Sequence, residues 1–259
     1  TEITALADQP GVEVLTREPD LPARNLKNSS VGVRLQNTGP VEWGITLFHG
    51  YDPRPVFKAT TLVVTPESGQ LVVDPGIVPD FHKMSSFGLD AAAVKGDWSF
   101  RAEAAYAVGR YFNTQRELWG YPSDITPGRY DLNPNEHKSD TIEYGLGVDY
   151  RLFEDCLLTL QAQQTVILNR PETLYDRKFE TLFWANLKNG FLNQKVETNL
   201  NLAYNPEHGD TMAKANAWYV FTDSWKAGVT AVAFWGPSQS LFGRYSKNDQ
   251  IEAEVIFSW

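Results

Sequence analysis

The chain ends in IEAEVIFSW, residues Ile251–Trp259. Ile251, Ala253, Val255, Phe257 and Trp259 share one parity, while Gln250, Glu252, Glu254 and Ser258 share the other, with Ile256 the one apolar residue among them. Successive side chains of a β-strand point to opposite faces, so this segment has one apolar face and one face carrying carboxylates. Alternation over about ten residues is what a membrane-spanning strand requires when lipid touches one face and water the other. A strand of a soluble sandwich alternates as well, so the residues upstream must decide.

They repeat the pattern. Trp225, Ala227, Val229, Ala231, Ala233 and Trp235 make an apolar row with a Trp at each end. Ala213, Ala215, Ala217, Tyr219 and Phe221 alternate with Lys214, Asn216 and Trp218. Val196, Thr198, Leu200, Leu202 and Tyr204 oppose Asn193, Lys195, Glu197, Asn199 and Asn201. Phe179, Phe183, Ala185 and Leu187 oppose Lys178, Glu180, Trp184 and Asn186. Further rows run through Leu158–Leu168, Ile142–Leu152, Trp98–Val108, Phe87–Ala93, Val41–Leu47 and Val31–Leu35. These segments predict about eleven strands.

The connections between them alternate in length. Tight turns are predicted near residues 38, 95, 154, 189 and 223, with Asn189-Gly190 a two-residue hairpin signal. Longer connections are predicted at 51–82, 113–138, 170–175, 205–210 and 236–247. Short turns at one end and long loops at the other fit an all-β, antiparallel up-and-down transmembrane β-barrel. A small hairpin, Leu62–Thr65 with Leu71–Val73, is expected inside 51–82. Residues 1–27 read as loop, with Val12–Thr16 the place for an extra strand, and barrel strands fill 28–259. An odd strand count puts the first strand descending from outside. The expectation is therefore the C-terminal part of a larger barrel of about 16 strands.

Composition agrees. No run of 18 apolar residues exists, so a transmembrane helix is excluded while a barrel is not. Aromatics make up 13% of the 259 residues, with eight Trp, as a barrel with interfacial girdles requires. A net charge of −9 excludes electrostatic binding of nucleic acid. The single cysteine, Cys156, rules out an intrachain disulfide and reads as a bystander thiol at a tight turn. The opening TEITALADQP lacks the basic start and apolar core of a signal peptide, which suggests a processed chain or part of a longer one.

The stretches NSSVGVRL (28–35), WGITLFHGYDPRPVF (43–57), SFGLDAAAVKGDWSFRAEAAY (86–106), DTIEYGLGVDYRLF (140–153) and FGRYSKNDQIEAEVIFSW (242–259) resemble porin-like outer-membrane proteins of Gram-negative bacteria, in a poorly characterised proteobacterial branch of large barrels. The terminal aromatic, with apolar residues at every second place before it, resembles the last strand of such barrels. The resemblance implies a location in the bacterial outer membrane and says little about cargo.

Parity assigns Val229, Leu200, Val255, Phe257 and Trp259 to lipid. It assigns to the lumen Arg34, Glu42, Asp90, Arg101, Glu103, Glu143, Asp149, Arg151, Lys178, Glu180, Lys195, Glu197, Lys214, Lys226, Glu252 and Glu254. Facing rows of both signs would set a transverse field that selects solutes, whereas pairing across neighbouring strands would merely stiffen the wall. Trp184 and Trp218 point inward, as lumen-filling core or as part of a binding track, while Trp119, Tyr121, Tyr130, Trp235, Phe242 and Tyr245 read as girdle or loop packing ahead of a surface for sugar rings or an apolar solute. His49, His82, His137 and His208 sit at strand ends or in loops, far apart in sequence, and His49 or His82 with Ser85 or Ser86 is the only hint of a hydrolytic pair. Loop carboxylates such as Asp52, Asp131 and Glu136 lack the spacing of a calcium ladder, so no metal and no cofactor are expected.

The leading expectation is a passive channel for small hydrophilic solutes, filtered by the 51–82 and 113–138 loops and not an enzyme. It stands in the lipid bilayer, alone, as a homo-oligomer or with a partner protein in its lumen. A barrel sheathing a partner such as an electron-transfer cytochrome ranks second, and an outer-membrane enzyme third.

Overall fold

The computed structural model describes residues 12–14, 21–59, 61–67, 70–74, 77–114, 128–131 and 136–258. After a short strand β1 (Val12–Val14) and a 3-10 turn at Leu26–Asn28 come β2 (Val31–Asn37) and β3 (Val41–Tyr51). Four short strands follow, β4 (Val56–Ala59), β5 (Thr61–Glu67), β6 (Gln70–Asp74) and β7 (Ile77–Asp80). Two long ones come next, β8 (Lys83–Lys95) and β9 (Trp98–Asn113), then the short β10 (Gly128–Asp131). The chain finishes with β11 (Glu136–Phe153), β12 (Cys156–Ile167), β13 (Phe179–Phe191), β14 (Val196–Asn205), β15 (Asp210–Thr222), β16 (Trp225–Trp235) and β17 (Gln250–Phe257).

Eleven of these strands form one antiparallel sheet in the order β17-β16-β15-β14-β13-β12-β11-β9-β8-β3-β2, so each long strand pairs with the next long strand of the chain. This is an up-and-down β-barrel wall. It is open, with β2 and β17 at its two edges. Apart from those edges every strand of the sheet has ten residues or more, enough to cross a bilayer when tilted.

Register keeps the two parities apart. Ala185 faces Leu202, Leu187 faces Leu200, and Ala231 faces Ile251 on one side of the sheet. Asp90 faces Glu103, Gly147 faces Arg101, and Asn186 faces Asn201 on the other. The apolar row is uncovered: Leu146 is 63% exposed, Val229 50%, Leu200 40% and Val255 66%. Phe257 shares that face, while Trp259 lies outside the described residues. An apolar surface running across eleven strands far exceeds what a water-soluble monomer leaves bare, and lipid is the solvent that accepts it.

Aromatics bracket the apolar band. At the tight-turn end Trp98 stacks on Tyr150, with centroids 4.1 Å apart, and Trp225 meets Phe257 at 4.7 Å. Trp225 and Trp235 open and close an 11-residue strand; at about 3.3 Å per residue and a tilt of about 40° their rings stand about 25 Å apart along the membrane normal. Alanines fill the middle, and over Ala91, Ala93, Ala102, Ala162 and Ala185 runs a mostly apolar groove of about 850 Å³.

Two expectations about the strands change. The tight turn near 189 lies instead at residues 192–195, with Phe191 paired to Val196. A two-residue turn at Asn189-Gly190 would set Gln194 opposite Ala185 on the lipid row. The longer turn sends Gln194 to the carboxylate of Asp155, at the cost of positive φ at Leu192, Asn193 and Gln194. The strand sought near Val12–Thr16 exists as β1, yet it pairs parallel with β6 in a small sheet, β1-β6-β5-β10, apart from the barrel wall. The hairpin expected inside 51–82 is present as β5 and β6, and β4 pairs with β7 beside it.

Among the described residues, a buried apolar cluster lies at the long-loop end, where Phe112, Ile167 and Leu174 pack together. Cohesion through the membrane therefore rests on the hydrogen-bonded ladder and on lipid, and packing is added where the loops fold down. Replacing Val229 with Arg is expected to cost about 2–4 kcal/mol, whereas Thr230→Arg, one residue on and facing the other way, costs far less. Reversible unfolding in denaturant from phospholipid vesicles measures both.

Candidate functional site

The polar face is assembled by strand pairing, and small residues make room on it. Arg34 on β2 donates to both oxygens of Asp90 on β8, at 2.7 and 3.0 Å, and to the hydroxyl of Thr46 at 3.0 Å. To do so it crosses β3 over Gly44, where a Cβ would lie 2.5 Å from the guanidinium. Arg101 pairs with Asp149 at 2.9 Å, and Thr159 donates to the same carboxylate at 2.7 Å. Asn186, Asn199 and Asn201 bond one another in a ladder across β13 and β14. The Trp218 indole lies over Gly228, with the Lys226 amine 5.1 Å from its ring centre.

Charge concentrates at the long-loop end. Asp52, just past β3, is buried and takes hydrogen bonds from Arg110 on β9 at 2.8 and 3.4 Å. Arg110 also donates to Glu143 on β11, which Arg54 reaches at 3.1 Å. The 52–55 connection is thus folded over the polar face across β8 and β9, held by two guanidinium groups between two carboxylates. Nearby, His208 contacts Glu180 at 3.2 Å, and Asn205 donates to the same carboxylate. Between these groups, Thr46, Asp90, Glu103, Glu143, Gln163, Glu180 and Leu241 line a cavity of about 470 Å³. In the adjoining turn, burial alone would raise the Glu207 carboxyl, but the hydroxyl and backbone N–H of Thr181 outweigh it and hold the group below the ordinary carboxylate range.

Fourteen of the residues assigned to the lumen stand in strands on the polar parity: Arg34, Glu42, Asp90, Arg101, Glu103, Glu143, Asp149, Arg151, Glu180, Glu197, Lys214, Lys226, Glu252 and Glu254. The other two stand in connections. Lys178 precedes β13, with its amine 5.4 Å from the Phe179 ring centre, and Lys195 belongs to the relocated turn. Alternation in the sequence runs past the strand ends at both places, since β13 begins at Phe179 and β14 at Val196. Trp119 and Tyr121 lie outside the described residues.

The histidines divide by face. His49 Nδ1 and the Ser85 hydroxyl are 2.9 Å apart, directly opposite each other on β3 and β8, but on the exposed apolar face. His82 has a different setting. Its Nε2 lies 3.1 Å from Glu136 and 3.5 Å from Asp80, and its ring stacks on Tyr111 with centroids 3.7 Å apart. Sequence reasoning grouped Glu136 with Asp52 and Asp131, so it missed this trio and the Asp52–Arg110 pair. Alternating parity identifies a face, and only folded loops show which ends meet.

Breaking the mouth cluster has a cost, because Arg110 and Asp52 are both buried. Arg110→Leu removes the Asp52 carboxylate's nearer guanidinium, leaving it Arg54 at 3.9 Å, and is expected to lose about 3 kcal/mol of stability, read from the denaturant midpoint.

No protein-family model matches the chain, and no curated protein matches it. Among solved structures it is similar to OmpTdeltaL8, a loop L8 deletion mutant of the outer membrane protein OmpT of Vibrio cholerae, at 12% identity and a TM-score of 0.41. That match covers 89% of this chain and 62% of the other. The chain is also similar to the ferric-catecholate import receptor Fiu from E. coli K12, at 11% identity and a TM-score of 0.42, covering 80% of this chain and 35% of that one. The chain thus spans less than two thirds of either protein.

Proposed function

We propose that this chain forms the wall of an outer-membrane channel through which small hydrophilic solutes pass by diffusion. The observation that carries the reading is the opposition of faces: a continuous apolar row uncovered on one side, and on the other a charge-bearing face with a cavity bordered by Glu143, the carboxylate that Arg54 reaches. The guanidinium groups of Arg34, Arg101 and Arg110 on the polar face are tied to carboxylates, so they stiffen the wall and leave a patterned field for solutes to cross.

The field has a sign. Of the fourteen strand residues named above, nine are carboxylates and five are bases, and adding Arg110 and Lys188 from the same face still leaves it acidic. Such a pore prefers cations. In planar lipid bilayers the protein is expected to give stepwise conductance, with a reversal potential in a salt gradient that favours cations. Glu252→Gln with Glu254→Gln should shift that potential toward zero. A membrane that stays sealed, or a barrel blocked by a copurifying protein, contradicts free diffusion.

A further inference from the structure

The polar face is built in two chemistries. Between β2 and β11 its hydrogen bonds join guanidinium groups to carboxylates. Across β13 and β14 they join amides: Asn186 donates to Asn199 at 2.8 Å and to Asn201 at 2.7 Å, and Asn201 donates to Asn199 at 2.5 Å. Three amides carry three oxygens and three amino groups. The ladder uses two of each, so the Asn186 oxygen and the Asn199 amino group stay free, and both side chains are only half-buried. Asn216 of β15 faces Asn199 on one side and Thr230 of β16 on the other, and its side chain makes no hydrogen bond among the described residues.

A tryptophan stands at each end of these amides. Trp184 precedes Asn186 by two residues on β13 and shares its face. Trp218 follows Asn216 by two residues on β15, and its indole lies over Gly228, where a Cβ would meet ring atoms at 2.4 and 2.5 Å. Register sets their separation. Trp184 faces Ala203, Ala203 faces Met212, and Trp218 lies six residues further along β15. At about 3.3 Å per residue the two tryptophans are about 20 Å apart along the strands, with the amides between them. Lys188, Lys214 and Lys226 share this stretch of the polar face with Glu197, Glu252 and Glu254, so three positive charges meet three negative ones and the stretch carries no net charge.

An indole offers a flat apolar surface, and an amide both donates to and accepts from a hydroxyl. A sugar ring needs both partners, because it has C–H groups on its faces and hydroxyls around its rim. We infer that Trp184, Asn186, Asn201, Asn199, Asn216 and Trp218 form a binding track for a neutral, linear oligosaccharide. The inference rests on the channel reading above and names a solute class for it. No covalent bond changes: the sugar exchanges hydrogen bonds with water for hydrogen bonds with successive amides as it passes.

The test uses maltohexaose as the saccharide and polyethylene glycol of equal mass as a solute without hydroxyl-bearing rings. Two readouts are taken: interruption of single-channel current in planar bilayers, and tryptophan fluorescence of the purified, detergent-solubilised protein. Maltohexaose is expected to interrupt the current in discrete events and to change the fluorescence saturably, while polyethylene glycol does neither. Trp218→Ala should weaken binding about tenfold through loss of an aromatic anchor, and Asn216→Ala about fivefold through loss of one hydrogen bond. The Asn216 side chain makes no hydrogen bond to the wall, so that substitution tests the track without disturbing the sheet. Trp235→Phe, on the apolar face, should bind as the unmodified protein does. Absence of a saturable fluorescence change, equal interruption by polyethylene glycol, or binding that survives both Trp218→Ala and Asn216→Ala would overturn the track. A sealed bilayer with saccharide binding intact in detergent would overturn the channel and uphold the track.

Discussion

A backbone in hydrocarbon has no water to satisfy its N–H and C=O groups, so each must find another strand. That constraint organises this molecule. It demands long, continuous ladders, which the sheet provides from β3 to β16, and it permits one residue in two to be apolar without any interior to bury it. Leu146, Val229 and Val255 are uncovered for the same reason that Asp149 and Glu254 can be charged: the two sets sit on opposite sides of one hydrogen-bonded layer. Among the described residues, a buried apolar cluster forms at the end where the long connections fold back, around Phe112, Ile167 and Leu174.

That end also holds the groups with chemical character. The same inward fold that brings Asp52 to Arg110 brings Asp80 and His82 to Glu136, because β4–β7 descend from the end of β3 and return to the start of β8. Loop placement, guanidinium pairing and the imidazole–carboxylate trio are therefore one structural event. Along the strands the charges mostly pair with neighbours one or two strands away, as Arg34 does with Asp90 and Arg101 with Asp149. Of the two expectations for the polar row, cross-strand pairing accounts for these residues, while Glu42, Glu103, Glu252 and Glu254 add charge to the face without joining the pairs described above.

Much of the wall was legible in the residues, because period-two alternation survives without tertiary context. The eleven strands, the tight turns next to Lys95 and at Glu154-Asp155, and the hairpin inside 51–82 all follow from apolar spacing and turn chemistry. The Asn189-Gly190 signal misled because a local turn preference competed with register, and keeping Gln194 off the lipid row prevailed. Lys178 and Lys195 misled for a related reason, since periodicity does not mark where a strand stops. The trio at His82 was not legible, because its members lie 54 positions apart and meet only through the folded connection.

The central claim is that alternate residues of each strand meet lipid and water. Single cysteines placed at successive positions from Ala227 to Phe234, in a Cys156→Ser background, spin-labelled in lipid vesicles, test it most directly. The account predicts that odd-numbered positions are open to oxygen and closed to a polar nickel complex, and that even-numbered positions show the reverse. Equal accessibility at neighbouring positions, or protection of the odd positions from both reagents, would contradict it.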